Sequence, residues 1–280
     1  MNWKATKRSR AVLYIETPWD KGFRQEFLLT ADRHWDNPQS NWELQEKHLQ
    51  QAQEKGVGVL DFGDFFCAMQ GRYDKRSNKS KLRKEHQTDD YLDSLISTAV
   101  DFFDPYSKNL IMISHGNHET AILKNHETDL TKRLCRGLSN PVFNMGYSGW
   151  VIFAFKHKGH TELKKLWYIH GYGGGGPVTK GVIQTNRRAS YVSADLIVTG
   201  HIHESWALDV PRIECSNDGR VIHKEQLHVQ VPTYKDEYAD GHEGWHIETG
   251  KPPKPVGATW LVFSKEDADA PIVLDVRKAR

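Results

Sequence analysis

Five short apolar runs in this sequence end in residues whose side chains bind metal ions. They deliver Asp32-x-His34, Gly63-Asp64, Asn117-His118, His170 and His201-x-His203. Together these supply two carboxylates, one amide and four imidazoles, with His118 left over. Imidazole and carboxylate donors suit manganese, iron or zinc, whereas an all-oxygen set would point to magnesium or calcium. Seven donors exceed the four that a structural zinc takes. They suit two divalent ions sharing a bridging carboxylate. Such a pair, about 3.5–4 Å apart, polarises a phosphoryl oxygen and lowers the pKa of a bridging water, so that hydroxide forms at neutral pH. Each motif alone is weak: an Asp-x-His can cap a helix, a Gly-Asp can be a turn, and a lone His170 can be a core histidine. The information lies in all five following apolar runs, and in Gly-His-x-His, whose alternate positions put both imidazoles on one face of an extended segment.

The elements that must position these groups follow from the same runs. Strands are expected at Ala11–Glu16, Glu26–Thr30, Val57–Phe62, Leu110–Ile113, Trp150–Phe155, Leu166–Ile169 and Leu196–Thr199, with further strand-like pieces near 207–214, 220–231, 258–263 and 271–277. Asn41–Lys55 has helix composition and is followed by Gly56, where a helix-ending glycine belongs. Leu92, Leu95, Ile96 and Val100 carry helical spacing through Asp90–Phe103, and Thr179–Tyr191 reads as a third helix. Strands and helices alternate through two thirds of the chain and strands dominate the rest, so the expected class is α/β with two sheets. In α/β folds, functional groups collect where the carboxyl ends of strands meet their loops. Five clusters at five strand ends would therefore form one polar basin.

Composition narrows the class. The 280 residues carry a formal charge of +2, 38% hydrophobic and 26% charged residues, the balance of a soluble globular protein. No apolar run approaches the ~18 residues of a membrane span, and AVLYI after the basic start is too short for a signal segment, so neither membrane insertion nor secretion is expected. Cys67, Cys135 and Cys215 form no CxxC pair, and an odd, sparse set implies reduced thiols and a cytoplasmic location.

The ordered set D-x-H, G-D, G-N-H-E, H, G-H-x-H resembles the calcineurin-like metallophosphoesterase superfamily over residues 27–203. The resemblance implies an αββα two-sheet sandwich with mixed sheets and a two-metal site at its rim. It implies one domain over 1–280, with the C-terminal strands 204–280 completing the second sheet. It makes Asp32, His34, Asp64 and His203 ligands of one metal and Asp64, Asn117, His170 and His201 ligands of the other, with Asp64 bridging. The ions would be manganese, with iron, zinc, nickel or magnesium as alternatives. His118 matches the family's non-ligand catalytic histidine, which protonates the leaving oxygen or stabilises charge on the phosphate. Where the family often writes G-D-x-x-D, this chain has Gly63-Asp64-Phe65-Phe66-Cys67, so the second acid, which often orients that histidine, is missing.

Substrate signals are fewer. Arg72–Lys84 holds seven basic residues and one acid, follows a ligand motif and has Tyr73 as its only aromatic. Arg72, Lys75 and Arg76 there, with Lys180, Arg187 and Arg188 after the glycine run 173–176, are candidate phosphate contacts. The expected activity is a phosphodiesterase acting on nucleic acid or nucleotides. The alternatives are a phosphomonoesterase, including Ser/Thr protein phosphatase as Gly-Asn-His-Glu suggests, and a non-catalytic scaffold of the same fold. No membrane and no obligate protein partner are expected.

Overall fold

The computed structural model describes residues 2–69, 77, 82–238, 240–242, 245–267 and 270–280. In chain order the strands are β1 (Lys4–Ser9), β2 (Val12–Pro18), β3 (Phe23–Thr30), β4 (Gly58–Asp61), β5 (Leu110–Ser114), β6 (Phe143–Met145), β7 (Ser148–His157), β8 (His160–Ile169), β9 (Leu196–Thr199), β10 (Trp206–Cys215), β11 (Val221–Gln230), β12 (Thr259–Lys265) and β13 (Val273–Lys278). The helices are α1 (Trp42–Glu54), α2 (Tyr91–Phe103), α3 (Asn117–His126), α4 (Leu130–Gly137), α5 (Ile183–Ala189) and the single turn α6 (Trp245–Glu248). One sheet has the order β1-β2-β7-β8-β9-β11-β10 and the other β13-β12-β3-β4-β5-β6. Both are mixed: β3, β4, β5 and β6 run parallel, as do β8, β9 and β11, while the outer pairs β12–β13 and β10–β11 are antiparallel.

Strand periodicity explains the layering. Successive side chains on a strand face opposite ways, so β3 sends Phe27 and Leu29 between the sheets and Leu28 toward the helices. β12 does the same with Leu261 and Phe263 against Trp260 and Val262. Strands buried on both faces read as continuous apolar runs. Phe27 meets Phe153 at a ring distance of 5.0 Å, and Phe153 meets Phe263 at 4.7 Å, which joins the two sheets. On the other side of the six-stranded sheet, α1 packs Leu49 and Ala52, α2 packs Leu95, Ala99 and Phe103, and α4 packs Leu130 and Leu134. Asn41 caps α1 by accepting the Leu44 N–H at 2.9 Å, and Gly56 leaves it at a φ of 64°.

This is the two-sheet α/β sandwich expected, with one layer thinner than the symmetric form. Among the described residues, the outer face of the seven-stranded sheet is covered by α5 and the segment after it, where Tyr191 meets Trp167 edge-on at 6.2 Å. Four differences from the sequence reading stand out. α5 begins at Ile183, not Thr179. Asn117–His126 forms a helix that the sequence reading does not assign. The basic N-terminal stretch forms β1. The C-terminal strands are divided: β10 and β11 extend the seven-stranded sheet, while β12 and β13 extend the six-stranded one. The division follows from burial, since β12 is apolar on both faces and suits an interior position, whereas β10 is largely exposed and suits an edge.

Candidate metal centre

The strand ends place the donor groups along one rim. Asp32 and His34 follow β3, Asp64 follows β4, Asn117 opens α3 just after β5, His170 follows β8, and His201 and His203 follow β9. Three come from the six-stranded sheet and two from the seven-stranded sheet, so the basin lies across the top of the inter-sheet core. Donor atoms of Asp32, His34 and His203 lie within 4.8 Å of one another, as do those of Asp64, His170 and His201. A third set, His34, Asp64 and His118, meets the same limit.

The individual distances are those of a candidate cation site. His34 Nε2 and His203 Nε2 face each other at 3.1 Å. Asp32 Oδ1 lies 3.4 Å from His203 Nε2 and 4.0 Å from His170 Nε2. His170 Nε2 stands 3.1 Å from Asp64 Oδ2 without alignment for a hydrogen bond. Asp32 Oδ1, His34 Nδ1 and His170 Nε2 are buried and have no hydrogen-bond partner. Native interiors rarely leave such atoms unpaired, and an ion or water explains those that are. A mixed set of carboxylate, amide and imidazole donors fits Mn, Fe or Zn in type and number.

Other contacts hold the donors in a ligating state. His170 Nδ1 donates to the Phe62 carbonyl at 2.8 Å, which leaves Nε2 aimed at the two aspartates. His201 Nε2 donates to the Gly173 carbonyl at 2.9 Å, while its Nδ1 lies 2.7 Å from Asn117 Oδ1. Asp32 Oδ2 accepts the His201 N–H at 2.8 Å. Burial and the neighbouring His203 and His118 push His34 well below the usual imidazole range, and burial with His170 lowers His201. Both shifts favour the neutral imidazole that a metal requires. Burial opposes charge on Asp64, but His170 and His118 hold it well below the usual carboxylate range. His170, also penalised by burial, is raised to about 10 by Asp64.

The backbone carries a second signature. Asp32, His34, Asp64, His201 and His203 have φ of 50°, 46°, 51°, 75° and 55°. Side chains rarely adopt this left-handed region, and each instance costs on the order of 1–3 kcal/mol. Five of the nine non-glycine residues in this region among those described are candidate ligands. Close packing supports the same loops. A Cβ on Gly116 would come 2.0 Å from Asp64 Oδ1, and one on Gly200 would come 2.7 Å from Asp32 Oδ2. Gly116→Ala is therefore expected to displace the Asp64 carboxylate, weakening Mn²⁺ binding by about 10–100-fold in calorimetry, as loss of supporting contacts does. Unchanged affinity would show that the carboxylate is free to move aside.

Glu119, the last residue of Gly-Asn-His-Glu, turns away from the cleft. Its carboxylate accepts the backbone N–H groups of Gly116 at 2.7 Å, Phe66 at 2.8 Å and Asp64 at 3.2 Å. Burial and the nearby Asp64 push it up to about 8. Its task is to tie α3 to the Asp64 loop. Trp35 is likewise buried, stacked on Trp42 at 3.8 Å, and does not line the cleft.

His34, Asp64, Asn117, His201 and His203 open into a cleft of about 1220 Å³, while Asp32 and His170 are fully buried and do not line it. Gly173–Gly175 form one wall, and Lys235, Glu237, His246 and Lys254 from the segment after β11 form another. Glu237 pairs with both Lys235 and His246, and Lys254 pairs with Glu204 at 2.5 Å. Lys235 was not singled out in the sequence, because its position depends on β11 ending beside β9. Thr233 and Tyr234 then bond to the Asp32 carbonyl at 2.8 and 3.0 Å.

The expected phosphate contacts fare differently. Lys180, Arg187 and Arg188 do not line the cleft. Arg188, in the last turn of α5, is buried near the Tyr172 ring. Arg72, Lys75 and Arg76 lie outside the described residues, with Lys79 and Lys81. Leu82, at the end of that run, lines the cleft. Arg83 is stapled beside it, over the Trp42 ring at 3.5 Å and donating to the Asn37 and Ser40 carbonyls.

No protein-family model and no curated protein matches the chain. Solved structures that it resembles include a predicted phosphoesterase from Streptococcus pneumoniae, at 11% identity over 91% of this chain and 99% of that one, with a TM-score of 0.33. Vps29 complexed with zinc from Entamoeba histolytica matches at 9% identity, 91% and 99% coverage and a TM-score of 0.33. GAP50, the anchor in the inner membrane complex of Plasmodium, matches at 10% identity, 91% and 84% coverage and a TM-score of 0.42. No helix among the described residues is long and apolar enough to cross a membrane.

Proposed function

We propose that this chain is a calcineurin-like metallophosphoesterase: a metal-dependent hydrolase of phosphate esters, acting as a phosphodiesterase on nucleic acid or nucleotides. The observation that carries this reading is the clustering of Asp32, His34 and His203, and of Asp64, His170 and His201, with ligand atoms within 4.8 Å of one another, on loops where five of these six residues are held at positive φ. Asp32, His34, Asp64 and His203 would hold one divalent ion, and Asp64, Asn117, His170 and His201 a second, with Mn²⁺ the expected metal. Such ions supply Lewis-acid polarisation of a phosphoryl oxygen and a lowered pKa for a bound water. The protein's own part is to orient and to move protons. The Phe62 and Gly173 carbonyls fix the tautomers of His170 and His201. His118 stands at the cleft with Nε2 3.8 Å from Asp64 Oδ2, placed to give a proton to the departing oxygen. Lys235, paired with Glu237, lines the same cleft. The cleft is large enough for a diester with groups on both sides of phosphorus. The free cysteines fit a cytoplasmic location.

The deciding experiment compares bis(p-nitrophenyl) phosphate with p-nitrophenyl phosphate under added Mn²⁺. Faster diester hydrolysis supports the reading. Preference for the monoester would make the enzyme a phosphomonoesterase, and no turnover of either would leave a scaffold.

His118→Asn provides a second test. A general acid contributes typically 10²–10⁴-fold, and most for poor leaving groups. The variant is expected to keep its metal content, lose activity by that order on alkyl esters, and lose much less on nitrophenyl esters. Loss of metal would make His118 a ligand, as its proximity to His34 and Asp64 allows.

A further inference from the structure

Among the described residues, no carboxylate lies behind the His118 Nδ1. Position 67, where the resemblance leads one to look for an acid, is Cys67, and the Cys67 thiol is not the partner either. The partner is the Cys67 backbone carbonyl, 2.5 Å from His118 Nδ1. A carbonyl only accepts, so Nδ1 carries the proton and Nε2 is left to face the cleft. A backbone carbonyl can aim an imidazole only as well as its own loop is held. Residues 65–69 contain no helix or strand, and Ala68 sits at a φ of 46°.

Asp36 holds that loop. It is buried, 1% exposed, and its carboxylate points into the turn. Oδ1 accepts the Cys67 N–H at 2.6 Å, and Oδ2 accepts the Ala68 N–H at 2.9 Å and the Tyr91 O–H at 2.7 Å. Three donors converge on one carboxylate: the Ala68 N–H shares its peptide unit with the Cys67 carbonyl, and the Cys67 N–H belongs to the unit before it. Charge-assisted bonds of this kind are roughly twice as strong as neutral ones. Tyr91 opens α2, which is packed in the core, so the carboxylate is braced from outside the cleft.

We propose that Asp36 is a positioning residue for His118, acting through the Cys67 carbonyl to set the imidazole tautomer and its aim into the cleft. Its kinetic consequence rests on the phosphoesterase reading; its structural consequence does not. An amide at position 36 cannot replace the carboxylate, because its –NH₂ would face an N–H donor. The loop must then relax, and the carbonyl moves off Nδ1.

The test has two arms. In metal-free protein carrying ¹⁵N-labelled histidine, His118 is expected to show a single Nδ1–H tautomer in the wild type and a mixed or Nε2–H signal in Asp36→Asn. With Mn²⁺, Asp36→Asn is expected to lower kcat about 10–100-fold, the range seen when an orienting partner is lost, with KM and metal content retained. In the His118→Asn background the same substitution should cost nothing further, since residues acting as a unit are not additive. Tyr91→Phe removes one bond from the far side of the same carboxylate and should shift both readouts the same way, less strongly. It serves if Asp36→Asn does not fold. An unchanged tautomer in the folded variants, or a loss that adds fully to that of His118→Asn, overturns the proposal. A wild type that hydrolyses no phosphate ester overturns the phosphoesterase reading, while the tautomer measurement still decides the role of Asp36.

Discussion

Asp64→Asn is expected to lower kcat/KM about a thousandfold or more, equivalent to about 4 kcal/mol of transition-state stabilisation. The reason lies in where the carboxylate sits. Asp64 Oδ2 is 3.1 Å from His170 Nε2 and 3.8 Å from His118 Nε2, while Oδ1 accepts the His118 N–H at 3.0 Å. It is the one candidate ligand shared by both proposed metal sets, and the charge between two dications must be negative to offset their repulsion. An amide is neutral and offers a single acceptor oxygen. Metal analysis should therefore show Mn²⁺ falling from two ions per chain in the wild type to one or none in the variant. The fold should survive, because the backbone of the Asp64 loop is held independently by Glu119. A variant that keeps two ions and most of its activity at limiting metal would remove Asp64 from the centre of the site.

The donor set was legible because each member is a local signal: an apolar strand followed at once by a side chain of a ligating type. Strand order did not need to be known, since parallel strands deliver their carboxyl ends to one rim. What escaped the sequence reading depends on contacts between distant segments. The partner of His118 is a backbone carbonyl, and carbonyls have no letter in a sequence. The sequence reading assigns Asn117–Glu119 to no helix, although Glu119 three residues after Gly116 carries the spacing of a capping box. Asn117 and His118 are thus successive residues at a helix start, and their side chains diverge by a helical rotation instead of by strand alternation. Lys180, Arg187 and Arg188 were chosen for nearness in sequence to the glycine run. The helix that carries two of them starts later than expected, and Arg188 is buried beneath it. Lys235 was invisible for the opposite reason: it lies more than 30 residues from the last motif and reaches the cleft through the pairing of β11 with β9.

Stability should depend most on a group that the site's own chemistry does not use. Arg33 lies between the candidate ligands Asp32 and His34, yet its side chain is fully buried on the other side of the loop. Its Nε donates to Asp61 Oδ2 at 2.7 Å, and the guanidinium also reaches Gln45 Oε1 and Thr30 Oγ1 at 3.0 Å each. The rings of Phe65, Phe103 and Tyr234 surround it at 5.2–5.5 Å. Arg33→Met keeps the volume and removes the charge, leaving Asp61 buried without its partner. Breaking a buried pair from one side costs about 3–5 kcal/mol, which chemical denaturation would read directly. Burial already raises Asp61, with Arg33 opposing, so losing Arg33 should raise it further. A carboxyl whose folded pKa exceeds its unfolded one stays protonated longer in the native state. Stability then falls as pH rises from the ordinary aspartate value through the raised one. The penalty of Arg33→Met should accordingly be smaller in mildly acidic solution than at neutral pH, and Arg33→Met combined with Asp61→Leu should recover much of it. A penalty independent of pH, or no recovery in the double variant, would mean that Arg33 acts through its ring contacts and not through the ion pair.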